Sequence, residues 1–352
     1  MNARTSTNPH PGHAPRSLDE RGTTAVEFAL LLWLLVALVL GVVDLARWLL
    51  ASASLHEAAR AGARIPGAVL PLPTGPWGVL VLAAAGVLRI VNFAQGELVM
   101  FGMYATYAAY SWWGLSPYVA VFLVAPLIGL LGMAIQRLVI QPLQHESNMQ
   151  IFATFGLLML FQNLMLATTR GETLSVGGSI GAVTLDVGDL KISVVRLVTL
   201  VATTLITIGL HLFLTRTLTG KSIRAVTQDK RAARAMGINV EKTFMLTFAI
   251  GAALTGMAGA LLTPIYSITP SVGGNFILAA FAVVVLGGLG SVWGAYLGGL
   301  IVGVVESFAG YYIDPVLRSA VWFLIFLVVL IVRPAGLLGQ VGAEEVGFRE
   351  QH

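Results

Sequence analysis

The sequence predicts an all-α integral membrane protein, a polytopic bundle of about eight or nine transmembrane helices. Three observations predict it. The 352 residues are 57% hydrophobic and 11% charged, against about 25% charged in a soluble domain. A single apolar core cannot absorb that excess, because cores stop growing beyond about 250–300 residues. The apolar residues also come in runs of about 20, the length a bilayer crossing needs. Finally, the basic residues concentrate in one stretch, 216–242, bounded by apolar runs, as in a loop that fixes membrane orientation.

Taken in order, residues 1–20 are polar and rich in Pro, Ser and Thr, the composition of a disordered tail. Residues 21–64 form a hydrophobic helix to about Val43 with an amphipathic extension through Asp44, Arg47 and Ala58-Ala59-Arg60. The apolar run is long for a secretory signal, and Glu27 sits at its start, so this stretch reads as a retained or specially processed anchor. Residues 65–76 hold Pro66, Pro71, Pro73 and Pro76, which break any helix and mark a linker. Residues 77–339 read as a membrane domain. Its expected helices are 76–94, 97–113, 117–139, 149–168, 193–214, 243–265, 274–290, 292–311 and 316–333, the first of them interrupted by Arg89 and Asn92. Residues 340–352 form a polar tail.

The stretch 216–242 carries seven of the chain's 21 basic residues, against Asp229 and Glu241 alone. The lysine and arginine bias places it in the cytoplasm. Counting helices outward puts 140–148 and the C-terminus on the same side and 169–192 outside. Arg137 and Arg333 agree with that frame, whereas Arg47, Arg60 and Arg64 do not.

Three stretches carry functional information. In the basic loop, residues 221–235 are good helix formers and Gly237 stands at a helix C-cap position. A short helix there sets Ile223, Val226, Ala233 and Met236 as an apolar patch beside a basic face. Such a helix suits a lever held by a cytoplasmic partner, or an ordinary basic loop that only sets topology. Gly220-Lys221-Ser222 imitates the end of a phosphate-binding loop, but position 215 is threonine and an apolar helix precedes it, so no nucleotide site is expected. The second stretch, Gly86 to Glu97, places Arg89, Asn92, Gln95 and Glu97 within nine residues between apolar runs, with Gly96 beside them. Polar groups at membrane depth face a cavity, a partner or a broken helix; alternatively Arg89 and Glu97 end two helices at the cytoplasmic surface. In the third, Gly287, Gly288 and Gly290 read as a helix break or tight turn. The pairs Gly294/Gly298 and Gly299/Gly303 have the spacing of close helix packing, and Glu306 is the one acid in the apolar run that follows.

Other chemistry is excluded. There are no cysteines. None of the six histidines pairs with a carboxylate at metal-ligand spacing inside a helix, and no nucleophile elbow or zinc motif occurs. The chain is expected to be neither an enzyme nor a nucleic-acid binder, with no cofactor and no metal. No soluble stretch is long enough for an ATPase, so any ATP-driven work falls to a separate subunit.

From about Gly86 to Gly339 the chain resembles the inner-membrane permeases of the branched-chain amino acid ABC uptake family, in particular the shorter of its two permease types. The resemblance rests on Gly86-Val87-Leu88-Arg89-Ile90-Val91-Asn92-Phe93-Ala94-Gln95-Gly96-Glu97, on Gly220-Lys221-Ser222-Ile223-Arg224-Ala225 leading to Ala235-Met236-Gly237-Ile238, on Val285 to Ser291, and on Arg333-Pro334-Ala335-Gly336-Leu337-Leu338-Gly339. It implies a multi-pass protein of the bacterial inner membrane that works with ABC ATPase subunits, a second permease subunit and a periplasmic substrate-binding protein. It also implies that 219–242 docks on the ATPases, with Gly220, Lys221, Ile223, Arg224, Asp229, Arg231, Arg234 and Gly237 as its candidate residues. Two features depart from the family: Gln95 stands where histidine is frequent, and only Trp77 to Ala85 remain of a helix that normally leads into the first motif. Residues 21–64 are instead similar to the small pilin-like proteins of tight-adherence pili, with Gly22 before a prepilin-type cleavage point and Glu27 at the fifth position after it. A pilus-assembly membrane protein and a permease for urea or another small amide are therefore the alternative functions.

Overall fold

The computed structural model describes residues 68–69, 92–143, 146–176, 184–187, 190–288, 290–312, 318–332 and 336–338. All of them belong to one compact unit, Gly67–His352. The anchor, its processing residues Gly22 and Glu27, Arg89 and most of the expected helix 76–94 lie outside the described residues.

Helix α1 (Gln95–Trp113) and helix α2 (Pro117–Ile135) are joined by three residues. Gly114 ends α1 with φ 65°, and Pro117 opens α2 at a position where its missing N–H costs nothing. Helix α2 runs on through a π turn, Gln136–Ile140, and a 3-10 turn, Gln141–Leu143. Helix α3 (Ser147–Thr169) follows, then strands β2 (Thr184–Val187) and β3 (Leu190–Ser193). Helices α4 (Val194–Arg216), α5 (Leu218–Gln228), α6 (Lys230–Ala235), α7 (Val240–Leu262), α8 (Val272–Gly287), α9 (Val292–Tyr312) and α10 (Arg318–Val332) complete the order. The helical membrane architecture is the one expected, with fewer crossings than eight or nine among the described residues and with a small addition. Strand β1 (Ala68–Val69), within the stretch read as a linker, pairs parallel with β3, and β3 pairs antiparallel with β2.

Among the described residues, four segments are long and apolar enough to cross a membrane: Pro117–Leu143, Met149–Thr169, Val194–Arg216 and Val240–Leu262. A fifth arises if α8 and α9, which turn through 119° at the Gly288–Ser291 break, count as one span. Helix α7 is the axis of the bundle, and α1 and α2 pack along it. Small residues allow this: Gly102 lies against Gly256, and Gly129 and Gly132 lie against Ala249, Ala252 and Ala253. Without a hydrophobic drive between helices in lipid, such close backbone packing is what holds them. Helix α3, by contrast, turns Phe152, Phe155, Met159, Leu160 and Leu164 outward, the surface of a helix that meets lipid.

The glycine stretch resolves as a hairpin. Gly288 has φ 99°, open to glycine at little cost, and lets the chain double back. Gly287 and Gly294 then meet backbone to backbone, and Gly298 rests on Val283. The last described residues close over this turn: Leu337 N–H donates to Leu286 C=O at 2.8 Å and Leu338 N–H to Gly287 C=O at 3.0 Å.

Candidate functional site

The basic loop folds as an elbow of two helices rather than one. Thr217 caps α5, its hydroxyl accepting from Gly220 N–H at 3.0 Å. Asp229 then breaks the run: its backbone is extended (φ −152°), and its carboxylate accepts from the N–H groups of Arg231 and Ala232 to start α6. An aspartate that caps its neighbours' amides competes with helix continuation, which is why 221–235 does not form a single rod. Gly237, with φ 81°, ends α6, donating to Arg234 C=O while Ile238 N–H donates to Ala233 C=O. Asn239 caps α7 through Lys242 N–H.

The elbow is rooted in the bundle. A side chain at Gly220 would fall 2.5 Å from Leu214 Cα, so α5 starts directly against the end of α4. Ile223 is buried among Leu210 and Leu214, and Val226, Ala233 and Val240 form a small core with Ile238 and Phe244. The expected apolar patch therefore faces inward. Met236, read as part of it, is 82% exposed and lies outside it, as does Leu218 at the other end of the elbow. Lys221, Arg224, Lys230, Arg231 and Arg234 are exposed, and Lys230 Nζ sits 5.5 Å from the Phe244 ring centre. The arrangement is a rigid arm between two membrane helices with its cationic face free. A movement of that face must reach α4 and α7.

The second expected site is buried. Asn92, Gln95 and Glu97 are respectively 6, 5 and 1% exposed. Asn92 Oδ1 accepts from Ala94 N–H at 3.0 Å, and Gln95 Nε2 donates to Thr255 Oγ1 at 2.9 Å, while Thr255 donates on to Gly251 C=O. Thr255 precedes the end of α7 by seven residues, so α1 begins about 10 Å inside that end at a rise of about 1.5 Å per residue. Residues 92–94 form a turn, not the end of a helix. Helix α1 thus starts within the bundle, as a discontinuous helix does, and the reading of Glu97 as a surface helix end is not what the structure shows.

Gly96 abuts Gly273, and the Glu97 carboxyl lies where a side chain at Gly273 would project, 2.8 Å from that Cβ position. Gly273 is the second residue of α8, so the carboxyl points at a helix N-terminus. Among the described residues, Glu97 is the one charged side chain of the buried set, and its Oε2 has no hydrogen-bond partner. A helix end offsets at most about 2 kcal/mol for a nearby anion. Burying an ionised carboxylate costs several kcal/mol. The helix end alone does not offset that cost.

Gly287, Gly288 and Gly290 form the α8–α9 turn, away from this cluster. Glu306 is partly buried on α9, which packs on α8, α10 and α4. Two groups escaped the sequence reading. Thr255 and Gly273 complete the Glu97 cluster, and Thr199, Thr203 and Thr207 form a buried stripe on α4, each hydroxyl donating to the carbonyl four residues back. The signal was available as hydroxyls spaced by four within an apolar run. Among the described residues no group of three or more His, Asp or Glu could hold a metal.

Residues 76–332 match the family described as branched-chain amino acid transport system / permease component, and residues 22–64 match the TadE-like protein family. The high-affinity branched-chain amino acid transport system permease protein BraD of Pseudomonas aeruginosa is 32% identical over 276 residues, 74% of this chain and 90% of that protein. The LivH permease protein of the corresponding Escherichia coli K12 system is 30% identical over 276 residues, 74% and 89% of the two chains. The xylose transport system permease protein XylH of Haemophilus influenzae is 38% identical over 106 residues, 28% of each chain. No solved structure matches.

Proposed function

Because the chain belongs to the branched-chain amino acid transport system permease component family, we propose that it is the pore-forming subunit of an importer for leucine, isoleucine and valine, driven by ATPases on separate subunits. It is a multi-pass membrane protein and a transport subunit, not an enzyme. The observation that carries the proposal is the elbow α5–α6. It is anchored in the bundle by Gly220, Ile223, Val226 and Ala233, and it presents Lys221, Arg224, Arg231 and Arg234 outward. Docked on ATPase subunits in the cytoplasm, with Asp229 and Gly237 fixing its two bends, it transmits their closure to α4 and α7. The bundle then opens to one side and afterwards to the other. A second permease subunit completes the channel, a periplasmic binding protein delivers substrate, and the bacterial inner membrane is the location. The path runs by the break at Asn92, Gln95 and Gly96. The turn at Gly287, Gly288 and Gly290 is a second articulation.

The test is co-purification with the ATPase subunits followed by uptake of labelled leucine into vesicles. ATP-dependent accumulation is expected. A chain that binds no ATPase, or moves leucine without one, contradicts the reading.

The anchor supports a further proposal. We propose that residues 22–64, which match the TadE-like protein family, are cleaved after Gly22, leaving Glu27 at the fifth position of the product. Mass spectrometry of the purified chain should find a mature N-terminus at Thr23; an N-terminus before Gly22 contradicts it. Whether residues 22–64 or 77–339 carry the activity separates a pilus-assembly protein from a permease, and uptake by the processed chain decides for the permease.

A further inference from the structure

Resting on the importer reading, we propose that Glu97 and the N-terminus of α8 together form the transmembrane subsite for the charged end of the amino acid. Glu97 pairs with its ammonium, and the helix end takes its carboxylate. Two independent observations converge here. The N-termini of α1 and α8 meet at Gly96 and Gly273, so positive helix ends face one point inside the bundle. At α8 the N-cap Ser271 makes no side-chain capping hydrogen bond, whereas at α1 Asn92 Oδ1 already accepts from Ala94 N–H. Into that point projects a carboxyl that is 1% exposed, with Oε2 lacking a partner among the described residues.

A carboxylate beside a helix N-terminus is half a recognition site for a zwitterion. The incoming ammonium supplies the cation that Glu97 lacks. The incoming carboxylate lies beside Glu97 at the N-terminus of α8, the placement expected where discontinuous helices bind anionic groups in membranes. Net charge in the bundle stays unchanged on binding. The surroundings suit the rest of the molecule: Val272 and Phe276 on α8 and Val99 and Met100 on α1 belong to one buried apolar cluster, suited to an aliphatic side chain. Glycine at 273 is required by this geometry, since any side chain there would occupy the place of the carboxyl.

The test uses the full-length chain reconstituted with its second permease, ATPases and binding protein. Glu97→Gln keeps the shape and removes the charge. Leucine uptake should fall at least tenfold at matched assembly of the complex. A second measurement needs no variant. Modification of Glu97 by dicyclohexylcarbodiimide in the wild-type complex should be slowed at least fivefold by leucine and not by 4-methylpentanoate, which has the same carboxylate and side chain without the amine. Uptake by E97Q within twofold of wild type overturns the proposal. So does equal protection by the two compounds, or protection by neither. A wild-type complex that moves no leucine sinks the importer reading itself; one that moves it while E97Q keeps pace sinks only the subsite.

Discussion

Replacing Arg224 and Arg234 together by glutamate is expected to lower ATP-driven leucine uptake at least about tenfold, with the chain still inserted at wild-type level. Both side chains are exposed, one on each arm of the elbow. Substitutions at such positions usually change stability by about 0.5 kcal/mol or less, so the fold should survive. The charge on the elbow face changes by four units, from +2 to −2 at the two positions. Against a partner surface selected to meet cations, like-charge juxtaposition costs several kcal/mol, more than the ~1.4 kcal/mol that a tenfold loss represents. Arg216, Lys221, Lys230, Arg231 and Lys242 remain to hold the loop on its side of the membrane. Uptake and co-purification of the ATPases, at matched expression, are the measurements. Normal values for both would remove the elbow from the coupling mechanism.

Gly256→Leu is expected to be strongly damaging to the bundle. Its Cβ would lie 2.7 Å from Ile128 Cβ, and Gly102 on α1 already rests against the Gly256 carbonyl. Neither neighbour can move freely, because Ile128 is 3% exposed and Gly102 is backbone-packed in mid-helix. Overpacking of this kind costs about 1–3 kcal/mol, equivalent to a fall of roughly 3–10 °C in thermal midpoint. It also pries α2 from α7, next to the residue where Gln95 reaches α7 at Thr255, so uptake should fall with stability. Thermal unfolding of the detergent-solubilised chain checks it, with Gly209→Leu as control, since nothing lies within 4 Å of a side chain placed there. Equal midpoints for the two variants would contradict the packing described.

Much of this was legible in the residues. Apolar runs and prolines located α2, α3, α4 and α7 to within about three residues, because bilayer length and backbone satisfaction leave few alternatives. The glycine-rich turn at 287–290 was readable for a similar reason, since three glycines within four residues can end a helix and reverse it. The elbow was half legible. Lys221, Arg224 and Arg234 announced a basic arm between two apolar helices, but the break at Asp229 depended on its carboxylate reaching two backbone amides. Propensity over 221–235 could not show that. Met236 was misplaced because periodicity was carried through that break. The Glu97 cluster was the least legible. Its polar residues stood out, but Thr255 and Gly273 come from helices 160 and 176 positions further on, and only tertiary packing reveals that Gly96 meets Gly273.

The account depends on which side of the membrane holds the elbow. The chain has no native cysteine, so Arg224→Cys gives a single thiol on an exposed face of α5. A membrane-impermeant maleimide should label it in inside-out vesicles and leave it unlabelled in intact spheroplasts. Labelling from the periplasmic side in spheroplasts, with inside-out vesicles silent, would place the arm where no ATPase can reach it and would contradict the transport mechanism proposed for this chain.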